Sequence, residues 1–342
     1  MKNRIFYCTI TFLIHSWTCM MSQDFHLAQP DANPFFLNPA LSGERLNENH
    51  GIKINVNYRE QTARYSKAVD VYKTVAFGID IPINKKLSIS QYVSNNRSVG
   101  GSFNSFNLML GSSYKIIGNN LEQNSRVNFC FGFQVGILNN SIRPKNFTYG
   151  NQYSPYSVDG FDRSISNGET FDNQSSFKLD ANFGIYYRNI LIEKKLAIFG
   201  GVSMYHLTDM NDSYLGNVSP IYKRINIHIG SIFEISKSTS FVPQLFYMNQ
   251  GKANDLNAGF LLIYKIKEEA IKPIIGLGYR ANNALIFHLG VKTNSTAFRV
   301  SYCQVLYDLS DYKNSGIEFS LIHCLKKKQA TVIEVTELAP QL

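Results

Sequence analysis

Alternation of apolar and polar side chains constrains this chain more than any other feature. Val127, Phe129, Phe131, Phe133 and Val135 interleave with Asn128, Cys130, Gly132, Gln134 and Gly136. A period of two places the two sets on opposite faces of an extended strand, one apolar and one small or polar. The pattern first appears as Ile52, Ile54, Val56 and Tyr58 against Lys53, Asn55, Asn57 and Arg59. It returns around Val75–Ile81, Leu87–Val93, Phe106–Leu110, Leu179–Tyr187, Ile198–Met204 and Ile225–Phe233. Further segments centre on Phe241–Met248, Leu256–Ile266, Ile271–Tyr279, Leu285–Val291, Phe298–Tyr302 and Ile317–Leu321. That makes about fourteen strands of roughly 9 to 13 residues, long enough to cross a bilayer obliquely.

The connectors carry a second, independent pattern. Those after even-numbered strands are short, as in Pro82–Lys86, Ser236–Ser240, Lys267–Ala270 and Thr293–Ser295. Several after odd-numbered strands are long: Glu60–Asp70, Asn139–Ser176 and Thr208–Tyr222, with Ala281–Asn283 an exception. Short periplasmic turns and long extracellular loops are the arrangement of outer-membrane barrels. A soluble sandwich also alternates, but its strands are shorter, commonly about 5–6 residues. Aromatic residues are abundant (24 Phe and 20 Tyr). Tyr58, Tyr114, Tyr187, Tyr264, Tyr279 and Tyr302 fall near strand ends, where an interfacial girdle needs them. A mean hydropathy of −0.15 fits a barrel whose lumen face and loops are polar. The expected fold is all-β, a transmembrane antiparallel β-barrel in the outer membrane of a Gram-negative bacterium.

The organisation before the barrel follows from two segments. Lys2 and Arg4 precede a largely apolar run from Ile5 to Thr18, interrupted by His15 and Ser16. Its uninterrupted core of about ten residues suits a signal peptide and is too short to span. A cut after Ser22 leaves Gln23 as the mature terminus; Ser16-Trp17-Thr18 before Cys19 does not resemble a lipidation site. Next, Asn33-Pro34 and Asn38-Pro39 bracket Phe35, Phe36 and Leu37. Each proline fixes its own φ and biases the preceding residue toward extended backbone, so no regular helix is expected here. A stiff apolar trio must dock on something, either as an ordinary N-terminal anchor or as a plug or lid laid against the barrel. The division is therefore a signal peptide over 1–22, an Asn-Pro-rich segment over 23–50, a barrel over 51–325 and a tail over 326–342.

No catalytic, cofactor or metal site is expected. The seven histidines are scattered, without H-E-x-x-H or paired His/Cys spacing. His206, His228 and His288 read as hydrogen-bonding residues inside strands. Ser42 lacks the flanking glycine of a nucleophile elbow, and Asp159, Asp162 and Asp172 miss calcium-loop spacing. Lys53, Arg59, Asp80, Lys178, Asp180 and Arg188 either line a conducting pore or form a charge-paired lumen filling. The formal charge of +9 is dispersed, with no basic stripe interleaved with aromatics, so nucleic acid is not a partner. Cys130, Cys303 and Cys324 remain after the leader and form no disulfide framework. Extrapolating the last hairpin pairs Cys303 with about Glu318 and Cys324 with about Ala297, too far apart to bridge. The longest connector holds Phe147, Tyr149, Tyr153, Tyr156, Phe161 and Phe171 among polar residues. Such a loop is either a protein-binding surface or a set of rings packing the loop onto the barrel mouth.

Gln23-Asp24, Asn33–Gly43, Asp180–Tyr187, Gly201–Leu207, Phe241–Leu245, Gly276–Arg280 and Ser315–Leu321, taken in order, together resemble the PorP/SprF family of outer-membrane proteins of type IX secretion and gliding systems. Gln23-Asp24 and the run Asn33-Pro34 to Asn38-Pro39-Ala40, with Gly43, resemble its opening signature. Asp180–Tyr187, Gly201–Leu207, Phe241–Leu245 and Gly276–Arg280 are similar to its internal motifs. Ser315–Leu321 is similar to its final strand, with Ile317 where histidine is usual. Such proteins usually end on that strand, whereas here Lys326-Lys327-Lys328 and a tail to Leu342 follow. The resemblance implies a non-enzymatic accessory barrel without cofactors. It would help export or retain a large secreted, adhesin-like surface protein, in contact with type IX secretion components and the lipid bilayer. The alternative is a passive porin or hydrophobic-solute channel.

Overall fold

The structure is a computed structural model that describes residues 24–44, 50–63, 70–98, 102–120, 125–158, 160–171, 174–214, 219–266, 271–281, 284–306 and 315–326. The leader at 1–22, Asp159, Asp172 and the tail beyond Lys326 lie outside the described residues. The first seven strands are β1 (His50–Ala63), β2 (Asp70–Pro82), β3 (Leu87–Ser98), β4 (Phe103–Asn120), β5 (Ser125–Ile142), β6 (Ser175–Leu191) and β7 (Leu196–Tyr205). A small hairpin follows, β8 (Met210–Asp212) with β9 (Ser219–Ile221). The wall then continues through β10 (Arg224–Glu234), β11 (Thr239–Gln250), β12 (Ala253–Tyr264), β13 (Lys272–Arg280), β14 (Ala284–Lys292), β15 (Thr296–Val305) and β16 (Ser315–Lys326).

These elements close a 14-stranded antiparallel barrel, in which β1 pairs with both β2 and β16 and the hairpin stands apart. Closure removes both sheet edges, which is what lets strands sit in hydrocarbon without unpaired backbone groups. The side-chain distribution is inverted relative to a soluble protein. Leu110, Leu289 and Ile229 are 60%, 66% and 53% exposed, whereas Asn55, Asn226 and Glu318 are at most 1% exposed. Only an apolar medium outside and a filled, polar interior make that distribution favourable. Tyr114, Tyr187 and Tyr264 point outward near the short-turn rim, and Tyr279 and Tyr302 near the long-loop rim. Two aromatic girdles result.

The strands are longer than expected on one side. β4 and β5 each run 18 residues and β6 runs 17. Their ends are rich in Asn and Ser, so the ladder continues past the apolar band as a water-facing extension. The connector at 206–223 does not stand out as an open loop. Its β8–β9 hairpin turns in over the mouth, with Met210 and Ile221 packed on Leu138 and Asp212 bonded to Asn140 (2.8 Å) and Lys178 (2.5 Å). The final hairpin is shifted by two residues from the extrapolated register. Cys303 faces Gly316, and the Cys324 amide meets the Ser295 carbonyl at 2.8 Å. The shift preserves the face, and Cys130, Cys303 and Cys324 are all buried free thiols.

Inside the barrel lies the chain's own N-terminal segment. Helical turns cover Pro30–Ala32, Pro34–Leu37 and Pro39–Leu41, each opening on a proline. This corrects the expectation that the prolines bar helix. They bar it only for the residue before, and Asn33 and Asn38 are indeed non-helical (φ −119° and −164°). Proline itself suits the first helical position, where no amide donor is needed. The Asn33 and Asn38 side chains then cap the turns, accepting from the amides of Phe36 (3.3 Å) and Ala40 (2.9 Å). Phe35, Phe36 and Leu37 enter a cluster with Ala76, Tyr92, Met109, Phe246 and Met248 from the wall. Burial of such side chains stabilises by about 2 kcal/mol apiece. The segment is a plug.

Candidate functional site

The plug runs the height of the lumen and is held at each level by a different set of wall residues. At the long-loop rim Asp24 accepts from Arg224 Nη1 (2.5 Å) and lies 2.9 Å from His206 Nε2. The other ring nitrogen of His206 is 2.7 Å from Asp180, and the Asp24 amide donates to Gln250 (2.8 Å). The Arg224 guanidinium also stacks between the rings of Phe36 and Tyr205, 4.2 and 4.0 Å from their centroids. His206 adopts φ 58°, just past the end of β7 rather than within it as expected. Burial alone would depress its basicity. The carboxylates of Asp24 and Asp180 outweigh that and lift its pKa to about 9. Burial would likewise raise the Asp24 carboxyl, but His206 and Arg224 hold it well below the usual range.

Lower in the lumen, Glu318 accepts from the amides of Ala28 (2.6 Å) and Gln29 (3.2 Å) and pairs with Arg59 (3.4 Å). Arg299 bonds Gln29 Oε1 (2.7 Å) and Asp31 (2.6 Å). Asp255 sits between His26 (3.1 Å) and Arg280 (3.3 Å), and Arg280 reaches the Leu27 carbonyl at 2.8 Å. The carbonyls that end the helical turn are met by Tyr205 (to Phe35, 3.0 Å), Asn226 (to Phe36, 3.0 Å) and Ser203 (to Leu37, 2.8 Å). Such orphan carbonyls need partners when buried. At the short-turn rim Glu44 pairs with Lys115 and Arg188, both at 3.1 Å, and their charges outweigh its burial to keep it ionised. Lys53 donates to the Glu44 carbonyl (2.6 Å) and pairs with Asp80 (3.3 Å), which in turn accepts from the Gly43 amide (2.6 Å).

Of the two readings of the lumen charges, the described residues form the charge-paired filling: Lys53, Arg59, Lys178, Asp180, Arg188 and Asp80 are each paired or bonded within it. The opening signature is explained residue by residue. Asn33 and Asn38 cap, Pro34 and Pro39 start turns, Ala40 packs on Cys130 and Tyr186, and Gly43 turns with φ 92°. Asn38 also reaches the Ile185 carbonyl (2.9 Å), and Ser113 donates to the Ser42 carbonyl. The internal motifs supply the grip: Asp180, Ser203, Tyr205, His206, Arg280 and Glu318 all touch the plug or its latch. Arg224 and Arg299 also hold it, and sequence inspection did not single them out. Their only sequence signal is a charge in mid-strand on the lumen face.

The aromatic residues of the 143–174 connector divide into two sets. The connector is a folded excursion, with turns at Pro144–Asn146 and Gly150–Gln152 and a bridge from Tyr153 to Phe161, whose rings meet edge to face at 6.1 Å. Phe147, Tyr149, Phe161 and Phe171 are half-buried, and Tyr149 donates to the Pro144 carbonyl. Tyr153 and the tip residues Tyr156 and Val158 are bare, Tyr156 at 97% exposure. The rings pack the loop largely on itself and leave an apolar tip. Between plug, wall and hairpin lies a small vestibule lined by Phe25, Tyr92, Phe103, Asn107 and Gln134 among others.

A family description, type IX secretion system membrane protein PorP/SprF, matches residues 20–322. This chain belongs to the PorP/SprF family. It is a type IX secretion membrane protein of the Gram-negative outer membrane. A mutant of the monoaromatic hydrocarbon channel TodX superposes with a TM-score of 0.50 at 10% identity, over 85% of this chain and 93% of that one. The toluene transporter TbuX of Ralstonia pickettii gives 0.49 at 10% identity, over 84% and 92%. At such identity the likeness is one of fold. No curated protein matches in sequence. This PorP/SprF protein thus has the fold of secretion and channel barrels, with its lumen occupied by its own N-terminal segment.

Proposed function

We propose that this PorP/SprF protein is a non-enzymatic accessory barrel that assists export or surface retention of a large secreted, adhesin-like partner. The observation that carries this reading is the plug. A lumen spanned by a segment gripped at every level, from Asp24 to Glu44, is not a route for a polypeptide. A barrel that does not conduct its client serves it by contact. The surface offered for that contact is the connector tip with Tyr153 and Tyr156, supported from beneath by Phe147, Tyr149 and Phe161. Tyrosine in a polar, pre-folded loop buries much area at low entropic cost. The short-turn rim is left to the type IX machinery on the periplasmic side. A passive porin is disfavoured by the same plug.

Replacing Pro144–Thr170 by a short Gly-Ser link tests the assignment. The loop lies outside the strand ladder, so insertion and heat-modifiability should survive. Display of the secreted partner on the cell surface should be lost. Normal display by a correctly inserted, trimmed barrel would move recognition away from this loop.

A further inference from the structure

The plug does not use the whole of the periplasmic mouth. It ends against β1, β2, β4 and β6, where Glu44 pairs with Lys115 and Arg188 and the Gly43 amide meets Asp80. In the other sector, the lumen faces of β10 to β13 carry Ile232, Val242, Leu261, Ile263 and Ile274, which pack together with no plug residue among them. Ile232 and Ile263 are only half-buried, so this apolar patch is incompletely covered. Beside it, Lys272 and Lys292 stand opposite each other at the rim ends of β13 and β14. Both are half-buried and share the lumen-facing parity of Ile274.

Like charges directly opposite each other repel, and the next charge acting on Lys292 is Arg188, also positive. The carboxylates that the plug meets at this rim are committed elsewhere, Glu44 to Lys115 and Arg188 at 3.1 Å and Asp80 to Lys53 at 3.3 Å. Among the described residues neither Lys272 nor Lys292 has an ion-pair partner. β16 ends at Lys326 on the same rim, and residues 327–342, outside the described residues, continue from there. Past Lys328 their charged side chains are Glu334 and Glu337, set among Val332, Ile333, Val335 and Leu338. That composition complements the uncovered sector: two carboxylates for two lysines, and aliphatic side chains for an apolar patch. β14 and β13 lie two and three strands from β16, roughly 10 and 15 Å at the spacing of a sheet. The chain from Lys326 to Glu334 spans up to about 28 Å when extended, so the reach suffices.

We propose that the segment Thr331–Leu338 of this chain folds back into the periplasmic mouth as a second plug. Glu334 and Glu337 meet Lys272 and Lys292, and the aliphatic side chains cover Ile232 and Ile263. Half-buried ammonium groups gain more from such partners than exposed ones, because salt screens them less. The two plugs then fill complementary sectors of one lumen, the first from the long-loop rim and the second from the short-turn rim. The contact involves no secreted client, so it stands apart from the role of the 143–174 connector. The turn at 267–270 carries Glu268 and Glu269 close to Lys272 in sequence and is the competing source of carboxylates.

Hydrogen–deuterium exchange of the full mature protein in lipid nanodiscs tests this contact. Exchange over Thr331–Leu338 should be slowed about tenfold or more relative to the same sequence as a free peptide. Lys272→Glu combined with Lys292→Glu should remove that protection, and adding Glu334→Lys with Glu337→Lys should restore it. Zero-length carbodiimide coupling should join Glu334 or Glu337 to Lys272 or Lys292 within one molecule. In barrels that remain heat-modifiable, a tail exchanging as fast as the free peptide would overturn the proposal. Protection that survives reversal of the two lysines, or that the charge swap fails to restore, would overturn it as well. Coupling of the lysines to Glu268 or Glu269 alone would assign their partners to the neighbouring turn and exclude the tail.

Discussion

At the scale of single residues, the latch at the long-loop rim is the most telling contact. Asp24 is held by one guanidinium and one imidazole, and the imidazole is held from behind by Asp180. Because the His206 pKa is raised to about 9, its contribution is complete below its unfolded pKa of about 6.5 and is lost as pH climbs through about 9. Because the Asp24 pKa is lowered, its contribution is complete above about 4 and is lost in acid. Plug docking should therefore be tightest between about pH 4 and 6.5 and loosen toward pH 10, by the share of the His206 shift that Asp24 supplies. Protease accessibility of the N-terminal segment against pH should trace this, and His206→Gln should flatten the alkaline limb. An alkaline limb unchanged in that variant would mean another group controls release. A simpler residue-scale expectation concerns the thiols. Cys130, Cys303 and Cys324 are at most 5% exposed, so a maleimide should label none of them in the folded barrel and all three after unfolding.

At the scale of elements, plug and wall are fitted to each other by small residues as much as by charge. Gly132 faces the lumen where the Pro39–Ala40 backbone crosses β5, and any Cβ there would strike that backbone. Gly132→Val should leave the strand intact, since valine suits a strand, yet keep the last turn of the plug from seating. Conductance in planar bilayers should rise relative to the parent barrel while insertion is unaffected. A silent bilayer from well-inserted Gly132→Val protein would mean that the plug blocks the lumen without that turn. Asn38→Ala removes a cap and the bond to the Ile185 carbonyl together, and should cost about 2 kcal/mol of plug docking. Chemical denaturation monitored at a label on the plug would report it separately from barrel unfolding.

At the scale of the whole molecule, the 14 strands form an outer-membrane barrel, and it should behave as one. In detergent it should be strand-dominated by circular dichroism and migrate faster unheated than boiled; a helical spectrum or a carbonate-soluble protein would contradict the fold. Much of this was legible in the sequence, because a period of two is a local property. Val127 to Gly136 declares its two faces without reference to any other strand, and each of the fourteen expected segments overlaps a strand of the wall. Turn lengths between neighbours are also local, so the two rims could be told apart. What the sequence could not decide was which polar residues meet. Asp24 and Arg224 are far apart in the chain, as are Gln29 and Glu318, and nothing near either one specifies its partner. Only closure of the wall brings β16 beside β1 and sets Glu318 under the Ala28 and Gln29 amides. Whether Lys53 and Arg188 line a pore or clamp a plug was likewise undetermined, because the same alternation produces both. The folded chain decided it by placing the Asn33–Gly43 turns in the lumen, where closely opposed glycines leave room for that segment and wall side chains give the buried Phe35, Phe36 and Leu37 carbonyls donors.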